Sequence, residues 1–397
     1  MELIVSCSPG LEALLCEEIK ELCPRLEPSA EHGAVRIPET DTIEDLELRE
    51  IYLKSRLASR IHMSLREFSA TNAAMLYDQT RRIAWQDFLP PEKSFIIHTR
   101  GEADAFDLRF ASLKVKDAIC DEVRKHFQGE RPNVDKEHAD FRIALFFRKG
   151  RCEISLDLSS DVLHRRGYRV DAGEAPIREN RAAALIRITE ANAGENEDAH
   201  DPFCGSGTLL IEWASRKLGA PRSLVFHGDD PLFKLRPELK KDFEKAHKEL
   251  MSEYRKRVEE RASAKQILVR GSDLSTEALE AARKNLKAAG LEKISKLEKA
   301  DATTLQTTAR VILANPPYGE RLQDTDAAVE LLKTFGRHVK HKLGPCTLGV
   351  ALAKTGLTKH LGFKPDVKMS VENGPIPIEL SVIRIYEGRA PRPTFAE

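Results

Sequence analysis

The fold of this 397-residue chain is decided by the stretch DPFCGSGT at residues 201–208. A short β-strand is predicted to end at Asp201, and TLLIEWASRKL, which begins at Thr208, has the apolar spacing of a helix. Gly205 and Gly207 can turn the backbone tightly and let a ligand approach it with no Cβ in the way. The stretch therefore predicts a strand, a ligand-binding turn and a helix.

Strands and helices alternate on both sides of this stretch. The segments ILVRGSD, KLEKADA, VILANPP, LGVALA and IELSVIRIYEG predict strands, and ENRAAALIRITEAN and TEALEAARKNLKAAG predict helices. This alternation predicts an α/β domain at residues 177–397, Rossmann-like, with a doubly wound and mostly parallel sheet. Residues 231–262 interrupt the alternation as a long, charged helical insertion.

The first 160 residues have a different pattern, which predicts α+β structure. Residues 1–65 begin with a strand and a helix, which indicates a small module. Residues 66–160 contain a predicted strand, a helix and then two alternating segments on either side of Lys149 and Gly150, which indicate a β-hairpin. Residues 161–176 are rich in Arg and Gly and predict a linker, so we expect the two halves to be separable units.

Charge and cysteine content narrow the class of protein. The 63 basic and 63 acidic residues cancel, which argues against a general polyanion binder, although residues 333–368 carry eight Lys and Arg against one acid. That basic run fits a solvated surface as well as a phosphate-binding face. No apolar run approaches the roughly 18 residues that span a bilayer, and the seven cysteines form no CxxC pair, so a cytoplasmic protein with reduced thiols is predicted.

The glycine-rich turn also indicates which ligand it takes. It matches neither the GxGxxG dinucleotide motif nor a Walker A loop, so phosphate binding is disfavoured. An acidic residue followed by two glycines suits a cofactor with an amino acid end and no phosphate, which describes S-adenosylmethionine. The predicted cofactor contacts are Asp201, Pro202, Phe203, Cys204, Gly205, Ser206, Gly207 and Thr208. Taken alone, the two glycines would fit a purely structural turn better.

A second motif, NPPY at residues 315–318, follows the apolar strand VILA. Pro316 and Pro317 lack amide hydrogens and fix φ, so carbonyl oxygens in this turn are held in place as acceptors. Asn315 adds a side-chain acceptor, and Tyr318 offers a ring on which a base could stack. Two acceptors that face one point would bind an amino group. The alternative is a Pro-rich loop without a catalytic role.

Two further acids are predicted to bind the cofactor. Asp273 ends the strand ILVRGSD, and Asp301 lies in KADA, where each could bind ribose hydroxyls or the adenine amine. Asp229 and Asp230 lie nearer the usual distance of about 20 residues from the glycines, but they run into the helical insertion, so Asp273 is preferred. Helix capping is the alternative role for either pair.

Two other kinds of chemistry are disfavoured by the sequence. An amine target needs no covalent intermediate, so Cys204 is interpreted as a small buried residue and not as a nucleophile. The histidines show no ligand spacing, and no metal is predicted.

In this order, DPFCGSGTLLIE, RGSD and NPPYGERL resemble the THUMP-domain RNA methyltransferases, and among them the enzymes that make N2-methylguanosine in bacterial 23S ribosomal RNA. The resemblance extends over nearly the whole chain. Further matching segments are SRLASRI (55–61), SLKVKDAI (112–119), RPNVD (131–135), SLDLSSDVLHRRGYR (155–169), APIREN (175–180) and NGPI (373–376).

The resemblance implies a ferredoxin-like N-terminal domain, a THUMP domain that binds RNA and a Rossmann-like methyltransferase domain. It also favours Asp273, because the long insertion before GSD is a family feature. Lys114, Lys116, Arg165 and Arg166 are the predicted phosphate contacts. Some members of the family continue into a second methyltransferase domain, whereas this sequence stops at Glu397, so a second activity would need a separate protein.

The resemblance implies transfer of a methyl group from S-adenosylmethionine to the N2 amine of a guanine in ribosomal RNA. Three alternatives stay open. A transfer-RNA guanine-N2 enzyme would have the same site, an adenine-N6 enzyme would use NPPY on another base, and an RNA-binding assembly factor would tolerate damage to either motif.

Overall fold

The computed structural model describes residues 2–38, 43–102, 107–173, 176–195, 197–317, 325–353, 356–372 and 377–387. Within these ranges the chain forms two β-sheets, one N-terminal and one C-terminal. No helix in them is both long and apolar enough to cross a membrane.

The N-terminal sheet contains eight described strands in the order β2-β3-β1-β4-β8-β7-β5-β6. These are β1 (Leu3–Ser6), β2 (Ser29–Glu31), β3 (Ala34–Ile37), β4 (Arg60–Ser69), β5 (Ser94–Gly101), β6 (Asn133–Val134), β7 (Phe141–Arg148) and β8 (Arg151–Asp157). Strand β4 pairs antiparallel with β1 on one side and with β8 on the other. The predicted boundary between residues 65 and 66 therefore falls inside one strand, and the two predicted N-terminal domains share one sheet.

Four helices of the described ranges pack on this sheet, each through the apolar face that its sequence predicts. They are α1 (Glu12–Leu22), α2 (Asp45–Lys54), α3 (Ala73–Thr80) and α4 (Leu108–His126). Helix α4 buries Ala111, Val115 and Ile119 at helical spacing, and it contacts β5. The predicted hairpin of β7 and β8 is confirmed, and its turn residues Lys149 and Gly150 both have positive φ, as a tight two-residue turn requires.

The C-terminal sheet has seven described strands in the order β11-β10-β9-β12-β13-β15-β14. These are β9 (Ala199–Asp201), β10 (Val269–Asp273), β11 (Ser295–Lys299), β12 (Val311–Ala314), β13 (Cys346–Ala353), β14 (Val367–Val371) and β15 (Ile378–Ile385). Strands β9 to β13 are parallel where they pair, and β15 is antiparallel to both β13 and β14. The predicted doubly wound, mostly parallel sheet is confirmed.

Helices cover both faces of this sheet. They are α5 (Glu179–Ala193), α6 (Thr208–Lys217), α7 (Pro231–Leu235), α8 (Lys240–Ser263), α9 (Thr276–Ala288) and α10 (Thr325–Lys342). One apolar cluster joins α5, α6 and α9 to one face and continues into the N-terminal half, whereas a smaller one joins α10 to the other face. The predicted insertion is helical and consists mainly of α8.

The two halves meet through a buried cluster of charges around Glu212 on α6. Glu212 is fully buried, and its carboxylate accepts hydrogen bonds from Arg56 at 2.9 Å, from Arg166 at 3.4 Å and from the Tyr168 hydroxyl at 3.1 Å. Burial opposes ionisation, but the two arginines hold the pKa of Glu212 below its usual value. This cluster argues against the predicted separable units, because separation would leave these charges buried without partners or exposed with their apolar surroundings.

Residues 161–176 were predicted to form a solvated linker, but part of this segment is buried. Arg166 and Tyr168 are only 2% and 1% exposed, so this part of the segment is packed between the halves. The prediction that Arg166 contacts RNA phosphates is wrong, because its guanidinium lies against Glu212 and the Arg56 carbonyl, which accepts from it at 2.5 Å. A segment rich in Arg and Gly is exposed to solvent only when its arginines have no buried carboxylate to pair with. Arg165 is exposed and pairs with Asp161 at 2.8 Å.

Asp230 forms a second connection between the halves. It is 2% exposed, and its carboxylate accepts hydrogen bonds from the Tyr52 hydroxyl, from the Ser160 hydroxyl and, at 3.0 Å, from the Ser160 amide. Its neighbour Asp229 is fully exposed. Asp230 therefore has a structural role between the halves, which favours Asp273 over it as the cofactor-binding acid.

Candidate active site

The glycine-rich turn and the NPPY motif lie at the same edge of the C-terminal sheet. Strand β9 lies between β10 and β12 and pairs in parallel with both, with Asp201 opposite Gly271 and His200 opposite Ile312. The carboxyl ends of the three strands therefore meet where Asp201, Asp273 and Asn315 begin their loops. In open parallel sheets, ligands bind beyond this edge.

The turn at residues 202–207 is tied to the neighbouring strand. The Cys204 amide donates to the Ser272 carbonyl at 3.0 Å, and the Gly207 amide donates to the Cys204 carbonyl at 2.7 Å. Gly205 and Gly207 have φ values of 49° and 83°, a region that disfavours a side chain, and a Cβ on Gly207 would lie 3.4 Å from that of Ala282. The two glycines therefore allow the turn conformation, and Gly207 also lets α9 pack close to the turn.

The rest of the turn is packed into the sheet. Pro202, Ser206 and Thr208 are buried, whereas Phe203 is half-buried with its ring edge-on to Phe335 at 5.1 Å between centroids. Cys204 is 4% exposed, and burial raises the pKa of its thiol well above the ordinary value. A buried, protonated thiol is a poor nucleophile, as the sequence interpretation expects.

Asp273 holds the turn from the end of β10. One carboxylate oxygen accepts from the Gly205 amide at 3.0 Å, and the other accepts from the Ser275 amide at 2.9 Å at the start of α9. Each oxygen keeps a second lone pair for a ligand hydroxyl. Asp273 therefore lies beside the turn and orients Ser275, the N-cap residue of α9.

Asp201 lies directly under the turn and is 1% exposed. Burial raises the pKa of its carboxyl to about 8, against a smaller lowering by the hydrogen bond from the Phe203 amide, and Asp273 adds to the increase. The folded chain therefore holds a proton between pH 3.8 and about 8 that the unfolded chain has lost. As the pH rises through this interval, the unfolded chain loses the Asp201 proton easily, whereas the folded chain must keep it or ionise a buried carboxyl. The free energy of unfolding therefore falls as the pH rises.

Sequence reasoning missed Asn285, which locks the turn to the segment that joins the two halves. Its amide donates to the Ser206 carbonyl at 2.9 Å and to the Asp171 carbonyl at 2.7 Å, and its oxygen accepts from the amides of Val170 and Asp171. It is fully buried on α9. The sequence did contain a signal for this role, because Asn285 occupies a position on the apolar face of the predicted helix, where a polar side chain needs hydrogen-bond partners.

Arg169 is a second missed residue. Its guanidinium donates to Thr208 Oγ1 at 3.1 Å and to Ser206 Oγ at 3.4 Å, and it pairs with Glu179 at 2.8 Å. Together with Asn285, it fixes the turn through contacts with Ser206 and Thr208, in addition to the contact of Asp273 with Gly205. The turn is therefore held ready for a ligand before one binds.

The remaining predicted acid, Asp301, follows the edge strand β11. Its carboxylate accepts from the Thr303 amide at 2.8 Å and from the Thr303 hydroxyl at 2.7 Å, and these bonds lower its pKa. It is therefore ionised and half-buried at the same edge of the sheet, one strand beyond Asp273.

Asn315 and Pro316 continue β12 beyond the sheet. Asn315 is half-buried and its side chain has no hydrogen-bond partner among the described residues, Pro316 is buried and Pro317 is exposed. Within the described residues, the Asn315 amide group is not engaged by another side chain. Tyr318 lies outside the described residues, as does the NGPI segment at 373–376. In the described ranges no group of three or more His, Cys, Asp or Glu side chains could hold a metal ion, and the absence of a metal stays a prediction.

Comparison with known proteins identifies the family. A model described as the RMKL-like methyltransferase domain matches residues 166–381. The chain belongs to this methyltransferase family. A THUMP domain model matches residues 70–157, within the N-terminal sheet. The predictions of a THUMP-domain methyltransferase and of S-adenosylmethionine as its cofactor are confirmed at the level of the family.

Curated relatives of this RMKL-like methyltransferase include proteins named ribosomal RNA large subunit methyltransferase K/L. That of Psychromonas ingrahamii is 35% identical over 97% of this chain and 50% of its own length, and that of Ectopseudomonas mendocina is 32% identical over 97% of this chain and 53% of its own. The chain spans about half the length of these relatives.

Two solved structures share the whole architecture. A possible methylase from Clostridium difficile has a TM-score of 0.84 and 27% identity, with 99% of each chain covered. SMU.472, a methyltransferase solved as a complex with SAH, has a TM-score of 0.80 and 24% identity, with 98% of this chain and 99% of that one covered. The second likeness shows the fold alone.

Proposed function

We propose that this chain transfers a methyl group from S-adenosylmethionine to the N2 amine of a guanine in 23S ribosomal RNA. The observation that carries the proposal is the position of Asn315, half-buried and without a described partner, at the sheet edge that also holds the glycine-rich turn. The names of the K/L relatives support ribosomal RNA as the substrate.

The cofactor is held by the turn and by the acids that surround it. Asp273 takes the ribose hydroxyls with its remaining lone pairs, and the turn amides lie at the amino acid end of the cofactor, beside Asp201. Asp301 is placed to accept from the adenine amine. S-adenosylmethionine supplies a methyl group on a positively charged sulfur.

Asn315 and the Pro316 carbonyl accept hydrogen bonds from the guanine amine. These bonds draw the nitrogen lone pair out of conjugation with the ring and aim it at the methyl group. Tyr318 stacks on the extruded base. The N–CH3 bond forms as the S–CH3 bond breaks, and the methylated ammonium loses its proton to solvent, so no strong general base is required. Positioning and preorganised dipoles supply the rate.

The N-terminal half docks the RNA. A THUMP domain and the K/L relatives favour this role, with exposed cations as phosphate contacts. A guanine-N2 activity on transfer RNA uses the same site and differs only in which RNA docks, and adenine-N6 methylation is the further alternative.

Labelling of separated RNA species tests the proposal. The purified chain is incubated with radiolabelled S-adenosylmethionine and total RNA from cells that lack the enzyme, and the RNA species are then separated. We expect label in 23S ribosomal RNA and not in 16S ribosomal RNA or transfer RNA. Label confined to transfer RNA would move the assignment to the transfer-RNA alternative.

Replacement of Asp273 by Ala is expected to weaken S-adenosylmethionine binding by about 1.5–3 kcal/mol, because the hydrogen bonds of a charged group are lost. RNA binding should be unchanged. Calorimetric titration of the cofactor measures the effect, with the exposed Asp229→Ala as the matched control. Unchanged cofactor affinity in Asp273→Ala would remove Asp273 from the cofactor site.

Cofactor binding at pH 7 is expected to release up to about one proton from Asp201. The carboxyl is neutral below its pKa of about 8, and the positive charges of S-adenosylmethionine favour the ionised form, which lowers the pKa. At pH 9 the group is already ionised and the release should vanish. Calorimetry in buffers of different ionisation enthalpy counts the protons, and Asp201→Asn should abolish the release. An equal release by the variant would place the proton elsewhere.

A further inference from the structure

Among the described residues, no helix packs on the face of β5 and β7 that lies opposite α4. Helices α3 and α4 cover the opposite face, where Thr99 on β5 shares a hydrogen bond of 2.6 Å with Ser112 on α4. Side chains alternate along a strand, so His98 and Arg100 point away from α4. The open sheet face comprises these two residues of β5 together with Ala144, Phe146 and Arg148 of β7.

The strand register brings the members of the open sheet face together. His98 is opposite Ala144, and Arg100 is opposite Phe146, on strands about 4.8 Å apart. Phe146 is 40% exposed, whereas its neighbours Leu145 and Phe147 are buried against the helices. An exposed aromatic ring therefore stands directly beside a guanidinium.

Two cations of this face have no ion-pair partner among the described residues. Arg100 and Arg148 are exposed and form no ion pair within the described ranges. Glu102, just beyond the end of β5, is exposed and pairs with neither. Burial and the nearby Arg142 lower the pKa of His98, so its ring is neutral near pH 7 and can both donate and accept a hydrogen bond.

The acids nearest the open sheet face are buried and paired, and Arg36, the partner of Glu153, also pairs with Glu2 and Glu31. Asp157 on β8 is 3% exposed and pairs with Arg60, and Glu153 is 8% exposed and pairs with Arg36 at 2.8 Å. The accessible charge of the open sheet face is therefore positive, which fits a polyanion.

We propose that the open sheet face binds an unpaired segment of the RNA substrate, with a base stacked on Phe146 and phosphates on Arg100 and Arg148. The proposal rests on the proposed function and says where the RNA docks. A base can stack on a protein ring only when it is free of its own helix, so the face selects single-stranded RNA over duplex.

This location differs from that of the sequence-predicted contacts Lys114 and Lys116. Both lie on α4, across the sheet from the open sheet face. The Lys114 amino group lies over the Phe110 ring at 5.6 Å, and Lys116 pairs with Asp117 at 2.9 Å. These lysines are partly engaged, whereas Arg100 and Arg148 are not.

Binding of a short fluorescent single-stranded RNA, and of the same strand paired with its complement, tests the proposal by anisotropy. Phe146→Ala in the full chain should weaken single-strand binding about 5- to 150-fold, with much less effect on the duplex. Phe146→Tyr keeps a stacking ring and should bind almost normally. Arg100→Ala with Arg148→Ala should weaken binding and reduce the dependence of log affinity on log salt by about 1.4 for a single strand.

Matched controls come from α4. Leu113→Ala removes an exposed apolar side chain, 56% exposed, and Lys114→Ala removes a cation. Normal single-strand binding by Phe146→Ala, or an equal loss for single strand and duplex, would overturn the proposal, as would a larger loss from the α4 variants. None of these results would bear on the proposed methyl transfer, which is tested separately by the labelling of ribosomal RNA and the identity of the labelled nucleoside.

Discussion

Replacement of Glu212 by Ala is expected to destabilise the whole chain by about 3–5 kcal/mol. The carboxylate is fully buried and is the shared partner of Arg56 and Arg166, which are 7% and 2% exposed. Without it, two guanidinium groups remain buried without a countercharge. Arg56 belongs to the N-terminal half and Glu212 to the methyltransferase domain. We therefore expect the replacement to destabilise both halves in a single unfolding transition.

Urea unfolding, followed by circular dichroism and by tryptophan fluorescence, measures this effect. Trp85 lies in the N-terminal half and Trp213 lies beside Glu212, so the second probe reports on both. The matched control is Glu253→Ala on α8, whose pair with Arg257 is half-exposed and should contribute at most about 1 kcal/mol. Wild-type stability in Glu212→Ala would mean that the charge cluster does not hold the halves together.

Replacement of Asn315 by Ala is expected to lower kcat about 100-fold or more and to leave cofactor affinity unchanged. Its side chain is proposed to accept a hydrogen bond from the target amine mainly in the transition state, and loss of one preorganised partner has an effect of this size. Single-turnover methylation and calorimetry of S-adenosylmethionine binding separate the two quantities.

Asn315→Asp is the matched variant, because it keeps acceptor oxygens of similar shape and should retain more activity than the Ala variant. Exposed Asn133→Ala should have no effect. Loss of cofactor binding in Asn315→Ala, with normal turnover of the complexes that still form, would show that NPPY has a structural role. The assignment of the amine to this motif would then be withdrawn.

The sheet and the position of the site could be predicted because each depends on local sequence. Apolar runs that end in Asp201, Asp273 and Asn315 predict strands, and the carboxyl ends of parallel strands meet at one edge. The glycines of the turn predict positive φ, which the structure shows at Gly205 and Gly207. The preference for Asp273 followed from its place before a helix with sheet-packing periodicity.

The contacts between distant segments could not be predicted in this way. A composition rich in Arg and Gly predicts a solvated linker, and only the buried carboxylate of Glu212, 46 residues further along, explains why Arg166 is internal. Asn285 was missed for the same reason, because its partners are backbone atoms of residues 170, 171 and 206. Periodicity shows which face of a helix is buried but not which polar groups it meets there.

Nucleoside analysis of the methylated RNA tests the central claim most directly. Ribosomal RNA labelled by the purified chain is digested to nucleosides, and the labelled product is identified by chromatography and mass spectrometry. The account predicts N2-methylguanosine as the labelled nucleoside, lost in Asn315→Ala. Label in N6-methyladenosine, or in a nucleoside methylated on a ring carbon, would contradict it.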